Sequence, residues 1–163
     1  MPLSLRPALP NDEPFLYQLL YENLYENLAA WAWEPSMRKP LLDMQIRGQR
    51  STYAAVYPHA DHGIIMLENE AIGRLLVDRG PEIHTLVDIT IRKQNRSAGI
   101  GTVLIRSLCM EAEIARKPLR LQVRTDNRAK NLYQRLGFRL IEDLTITWVM
   151  ERAPGTSPLV AAP

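Results

Sequence analysis

Two strand-like runs joined through a helix-like one constrain this chain more than any other feature. Thr85-Leu86-Val87-Asp88-Ile89-Thr90-Ile91 is short and β-branched, which reads as a strand, with Arg92 to Asn95 turning out of it. After it, Ile100, Val103, Leu104, Ser107, Leu108, Ile114 and Ala115 recur at the spacing of one helix face, while Arg106, Glu111, Glu113 and Arg116 take the other. Lys117-Pro118 breaks that pattern, and Leu119-Arg120-Leu121-Gln122-Val123 reads as a second strand. A crossover of this kind requires the two strands to be parallel and the connection right-handed.

The first junction, Arg96-Ser97-Ala98-Gly99-Ile100-Gly101 with Thr102 after it, puts two glycines at a helix N-terminus. Backbone N–H groups there lack intrahelical partners and the macrodipole is positive, so an anion is the natural ligand. Glycine removes the Cβ atoms that would hold a pyrophosphate off the backbone, and Arg96 adds a charged fork suited to phosphate oxygens. A glycine pair also serves simply to reverse a chain, and the local features do not decide between the two. Two phosphate motifs fail on the residues. A P-loop needs Gly-Lys-Ser/Thr, which is absent, and a dinucleotide fingerprint needs a third Gly where Leu104 stands.

At 163 residues and 46% hydrophobic content, the chain has material for one domain with a substantial core, expected over residues 1–152. The end, from Ala153 to Pro163, is rich in Pro and small residues and is expected to be a disordered tail. With 20 basic and 18 acidic residues the net charge is +2, so a nucleic-acid partner is not expected from overall charge. Yet between Arg116 and Arg139 eight basic residues face the single acid Asp126, which suits a polyanionic ligand or a solvated basic face equally. Cys109 is the only cysteine, so no internal disulfide forms, and it reads as a buried thiol. No run approaches the length of a membrane span and no apolar leader opens the chain, so a cytoplasmic protein is expected.

Elsewhere, Leu3, Leu5 and Ala8 suggest a first strand, and Asn11-Asp12-Glu13-Pro14 a cap and acidic first turn for a helix striped by Leu16, Leu19, Leu20 and Leu24. Trp31, Trp33, Pro35 and Pro40 read as a loop whose aromatics either close the core or shape a pocket. A second helix is predicted from Leu42 until Pro58 stops it, in preference to a strand over Tyr53–Tyr57, then a hairpin of Ile64–Leu67 with Ala71–Val77, so that three antiparallel strands precede the crossover. His59, Asp61 and His62 fall in a Pro-containing stretch without a third ligand, which predicts a solvated loop and no metal site. A last helix is predicted from near Asp126, with Ala129, Leu132, Tyr133 and Leu136 on one face, stopping at Gly137 as C′ residue. Phe138–Ile141 and Thr145–Met150 then form a hairpin.

Two separated motifs coincide in order: Arg96-x-x-Gly99-x-Gly101 opening a helix, and Asn127-x-Ala129-x-x-Leu132-Tyr133-x-x-Leu136-Gly137-Phe138 about thirty residues on. Together they resemble the GCN5-related N-acetyltransferase (GNAT) family, over approximately residues 3 to 151. Ser97 departs from the glycine that many members carry there. The resemblance implies an α/β fold: a mixed, mostly antiparallel sheet of about six or seven strands flanked by about four helices, splayed between the fourth and fifth strands. It implies acetyl-CoA as cosubstrate, with pantetheine amides paired to the backbone of Ile89, Thr90 and Ile91. The pyrophosphate would be held by Arg96 and the turn Ser97, Ala98, Gly99, Ile100, Gly101 and Thr102, and the cofactor would be bonded by Asn127. Arg128, Lys130 and Arg135 are candidates for the ribose-end phosphate. The implied activity is transfer of the acetyl group to a primary amine by direct attack in a ternary complex, with no membrane partner; a homodimer is compatible with it.

Such a reaction needs a neutral amine, an oxyanion held by the strand backbone near Ile89, and a proton for the departing thiolate. A phenol with pKa near ~10 can protonate a thiolate whose acid has pKa near ~8.5, and Tyr133 matches the family's general acid. Without the motif it would read as a core aromatic. For the base, Asp88, Glu82 and His84 are candidates, with Asp88 and His84 on the same side of the strand. The acids Glu22, Glu26 and Glu34 near Trp31 and Trp33 would suit a cationic acceptor or be ordinary surface. Competing readings are a different acyl-CoA, a hydroxyl acceptor, an acyl-CoA sensor without turnover, and a basic nucleic-acid-binding module.

Overall fold

The computed structural model of the chain describes residues 2–156. Strand β1 (Leu3–Pro7) leads into helices α1 (Glu13–Asn27) and α2 (Pro35–Val56), strands β2 (Asp61–Leu67), β3 (Glu70–Arg79) and β4 (His84–Ile91), and helix α3 (Ile100–Ile114). Strand β5 (Leu119–Arg124), helix α4 (Ala129–Arg135), and strands β6 (Arg139–Asp143) and β7 (Thr147–Arg152) follow. The strands form one seven-stranded sheet in the order β1-β2-β3-β4-β5-β7-β6. The crossover read from the sequence is present: β4 and β5 are parallel through His84↔Leu119, Thr85↔Arg120 and Leu86↔Leu121, where the ladder ends while both strands run on.

By internal contacts the chain divides into two units. One runs to Leu76 and takes in Asp88–Arg96; here β1 and β2 pair antiparallel from Leu3↔Leu67 to Pro7↔Gly63, α1 packs on α2, and Leu16, Leu19, Leu20, Leu42, Ile46, Ile64, Ile65 and Ile72 are buried. The other comprises Val77–Val87 and the chain from Ser97 on. Its β7 lies between β5 and β6, α3 and α4 both pack on β5, and Leu104, Ile105, Leu108, Cys109, Leu119, Leu121 and Met150 are buried. Among the described residues no helix is long and apolar enough to cross a membrane.

Several expectations require correction. Helix α2 begins at Pro35, seven residues before the predicted start, and carries Pro40 within it. Pro35 suits the first helical position, where its missing N–H is unpaired anyway, and Pro40 follows soon enough to cost about one hydrogen bond near an end. The segment from Trp31 is therefore a 3₁₀ turn (Ala30–Ala32) into a helix, and Trp31 is exposed, which removes the core-closing role for that ring. His62 lies on β2, half-buried, with its Nε2 buried and unpartnered among the described residues. Burial, then the charge of Arg74, pushes its pKa down. Of the tail, Ala153–Thr156 form a turn whose Gly155 N–H donates to Glu113, and the remainder lies outside the described residues.

Asp12 does not cap α1. Its carboxylate accepts two bonds from Arg6 at 2.7 and 2.8 Å and one from the backbone N–H of Leu9 at 2.7 Å. The Arg6 fork foremost, then the Leu9 amide, lowers the Asp12 pKa to about 2. A depressed carboxylate stabilises the fold above its unfolded-state pKa of ~3.9, and that stabilisation disappears as pH falls through the folded value. The stability gap between wild type and Asp12→Asn should therefore be full at pH 6 and close between about pH 4 and pH 2, as followed by thermal unfolding at each pH.

Candidate functional site

The glycine-rich turn has the conformation its residues imply. Ile100 begins α3 and Gly99 is its N-cap at φ +80°, with nothing within 4 Å of where a Cβ would stand. Since Gly99 has no side chain to cap with, the amides of Ile100, Gly101 and Thr102 are first-turn donors for an outside acceptor; the first intrahelical bond is Val103 N–H to Gly99 O, at 3.1 Å. Ser97, Ala98 and Gly99 are exposed, as an anion cradle requires. Ser97 takes φ +62°, a left-handed conformation that disfavours any residue with a Cβ by about 1 kcal/mol and that a glycine would adopt without this cost.

Arg96 is turned elsewhere. Its Nε donates to the carbonyl of Ile91 at 2.9 Å, and Nη1 reaches Glu26, in the last turn of α1, at 3.2 Å. A cavity of about 490 Å³ opens beside this contact, lined among others by Tyr21, Glu22, Tyr25, Glu26, Ile91 and Arg96. Of the strand residues expected to meet pantetheine, Ile89 and Ile91 are half-buried and Thr90 is buried.

Asp88 is not isolated. Its Oδ2 accepts from Arg74 Nε at 2.6 Å and from Thr90 Oγ1 at 3.0 Å, while Arg74 also donates to Gln49 Oε1 at 3.1 Å and lies 5.9 Å from the Tyr53 ring centroid. Arg74 is only 4% exposed, so loss of this carboxylate would leave a buried cation without its counter-charge. Sequence reasoning did not single out Arg74, which lies inside the strand expected over Ala71–Val77; the available signal was that an acid on a strand, as Asp88 is, commonly pairs with an arginine on the neighbouring one. His84 shares parity with Asp88 yet finds another partner, with Nδ1 3.7 Å from Glu111 on α3, and burial pushes its pKa down. Glu82 is exposed just before β4.

The second motif is explained by α4 and its exit. Asn127 Oδ1 accepts the N–H of Ala129 at 2.9 Å, which leaves the Nδ2 hydrogens as the donors its side chain can offer. Tyr133 is 6% exposed, its ring 5.7 Å from that of Phe138 and tilted 58° to it. Gly137 follows at φ +94°, and a Cβ there would sit 2.6 Å from Thr156 and 3.5 Å from Nε of Arg152. That Nε caps the helix by donating to Leu136 O at 2.9 Å, so Leu-Gly-Phe is the sequence of a helix end closed by a buried arginine. Of the basic residues downstream, Arg120 pairs with Glu151, Arg124 with Asp126, and Lys130 sits 4.8 Å from the Trp148 ring centroid. Arg128 and Arg135 flank α4 at its N-cap and last turn.

Comparison with curated proteins gives no significant match. Solved structures with this fold include the PaiA N-acetyltransferase from Thermoplasma acidophilum in complex with coenzyme A (14% identity, 94% of this chain, 99% of that one, TM-score 0.68). An acetyltransferase from Thermus thermophilus is similar at 23% identity, 94% and 97% coverage and a TM-score of 0.65. So is a GNAT family acetyltransferase from Elizabethkingia anophelis with acetyl-CoA bound, at 18%, 93% and 97%, and 0.58. At these identities the likeness concerns the fold. A sequence model of the acetyltransferase (GNAT) domain matches residues 58–140, which span both motifs, and the chain therefore belongs to the GNAT acetyltransferase family.

Proposed function

We propose that the protein transfers an acetyl group from acetyl-CoA to a primary amine, by direct attack while both are bound. The observation that carries this is the start of α3: a left-handed glycine N-cap, open space above it, and three first-turn amides facing no side-chain cap, in a chain of the acetyltransferase family. Acetyl-CoA supplies the activated acyl group. In this reading the turn from Ser97 to Thr102 binds the pyrophosphate together with Arg96, the backbone of Ile89 to Ile91 aligns the pantetheine arm, and Asn127 bonds it through Nδ2. As the amine nitrogen bonds to the thioester carbon and the carbon–sulfur bond breaks, Tyr133 gives its phenolic proton to the sulfur. A strand amide near Ile89 holds the transient oxyanion. The use of acetyl-CoA supports a cytoplasmic setting.

Asp88 is proposed to take the proton from the amine. Its bond to Arg74 and Thr90 fixes where the carboxylate stands, which supports a positioned base. The basic limb of the pH–rate profile should then move or vanish in Asp88→Asn; retention of the wild-type limb would exclude Asp88 from that role.

Two measurements test the reaction as a whole. Acetyl-CoA should raise the melting temperature of the protein, and an amine panel running from polyamines and aminoglycosides to peptide N-termini should release free thiol with at least one member. A rise without thiol release from any amine or hydroxyl compound would make the protein an acyl-CoA sensor. Salt-sensitive binding to nucleic acid without any rise would favour a nucleic-acid-binding role.

A further inference from the structure

Arg96 Nε bonds the Ile91 carbonyl at 2.9 Å, and Nη1 lies 3.2 and 3.4 Å from the two carboxylate oxygens of Glu26. Both are groups whose partners the donor has to change: the guanidinium is the fork assigned to pyrophosphate, and the Ile91 carbonyl is an acceptor assigned to a pantetheine amide. Glu26 thus offers Arg96 an anionic oxygen pair of the kind a diphosphate brings. The other arginine on this cavity wall, Arg92, is committed to Glu70 at 2.8 Å and lies 5.5 Å from the Phe15 ring centroid. Glu22, one turn before Glu26 on the same wall, has its Oε1 bonded by Gln18 instead, at 2.8 Å.

From these contacts we infer that Glu26 and the Ile91 carbonyl hold Arg96 as a latch, which the pyrophosphate of acetyl-CoA opens by taking over the guanidinium, so that Glu26 is the built-in competitor setting donor affinity. The inference rests on the acetyl-CoA reading above. Opening the latch frees the Ile91 carbonyl for the pantetheine arm and leaves the Glu26 carboxylate unpaired on the cavity wall. Binding is thereby weakened by the fraction of molecules in which Arg96 is already engaged.

Calorimetric titration with coenzyme A at low ionic strength tests this without turnover. Glu26→Gln should bind about two- to fivefold more tightly than wild type, the range expected when a part-exposed ion pair is removed as competitor. Glu22→Gln, which removes the same charge one turn away, should tighten binding less. Arg96→Ala should weaken binding, and adding Glu26→Gln to it should then change nothing. Tightening that is equal in Glu22→Gln, or that persists in the Arg96→Ala background, would reduce Glu26 to general repulsion and overturn the latch, as would an unchanged affinity in Glu26→Gln. Absence of coenzyme A binding by wild type would overturn the donor reading itself, and the latch with it.

Discussion

Tyr133→Phe should lower kcat by about 10²-fold or more while leaving the affinity for coenzyme A within about twofold of wild type. The substitution keeps the ring, its burial and its tilted packing on Phe138, and removes only the hydroxyl. Fold and donor grip should therefore persist, and what disappears is a proton source for the departing thiolate. If that proton comes from Tyr133, the loss grows with the basicity of the leaving thiolate and falls on kcat; if the side chain is a packing residue alone, kcat stays near wild type and the hydroxyl leaves the mechanism. A drop confined to KM would place Tyr133 in acceptor binding instead.

Gly73→Ala should be the most damaging small substitution in the sheet. An alanine replacing glycine within a strand ordinarily gains stability, because glycine loses more backbone freedom on folding. Here the added Cβ would stand 2.3 Å from the Thr90 carbonyl oxygen and 3.2 Å from the Ile91 Cα. Neither atom belongs to a flexible side chain, so β3 and β4 would have to part. The overpacking cost is about 3 kcal/mol, enough to reverse the expected sign and to lower the melting temperature by about 10 °C. The same shift displaces Thr90 and Ile91, so donor affinity should fall with stability. A melting temperature within about 1 °C of wild type would show that the strands can part freely.

Features governed by local rules were readable from the chain. The β-branched run Thr85–Ile91, the glycines at 99 and 101, and the Pro118 break determine strand, helix start and crossover within a few residues of one another, and each appears where expected. Gly137 likewise marks its helix end by a conformation few other residues accept. What eluded the sequence were choices of partner. Asp12 is a good capping residue, yet Arg6 and the Leu9 amide claim its carboxylate, and two charge-assisted bonds outweigh one cap. Pro40 looks like the end of a loop because the rule against interior proline is strong, though weaker near a helix start. Pro58 and His59 make His62 look like a loop residue, while it stands half-buried on β2 with Arg74, twelve positions on, among the charges that act on it. Arg74 with Asp88, and Arg96 with Glu26, pair residues 14 and 70 positions apart. No periodicity encodes such meetings.

The isolation of Cys109 has a practical bearing on the assays above. It is the chain's one sulfhydryl, closed within α3 at 0% exposure, and burial pushes its pKa up to about 11. A thiol that is neither accessible nor ionised at neutral pH reacts slowly with aromatic disulfides. A colorimetric thiol reagent added to a working mixture should therefore report coenzyme A alone, with a flat baseline from the enzyme, and a baseline that rises on its own would signal unfolding before it signals turnover.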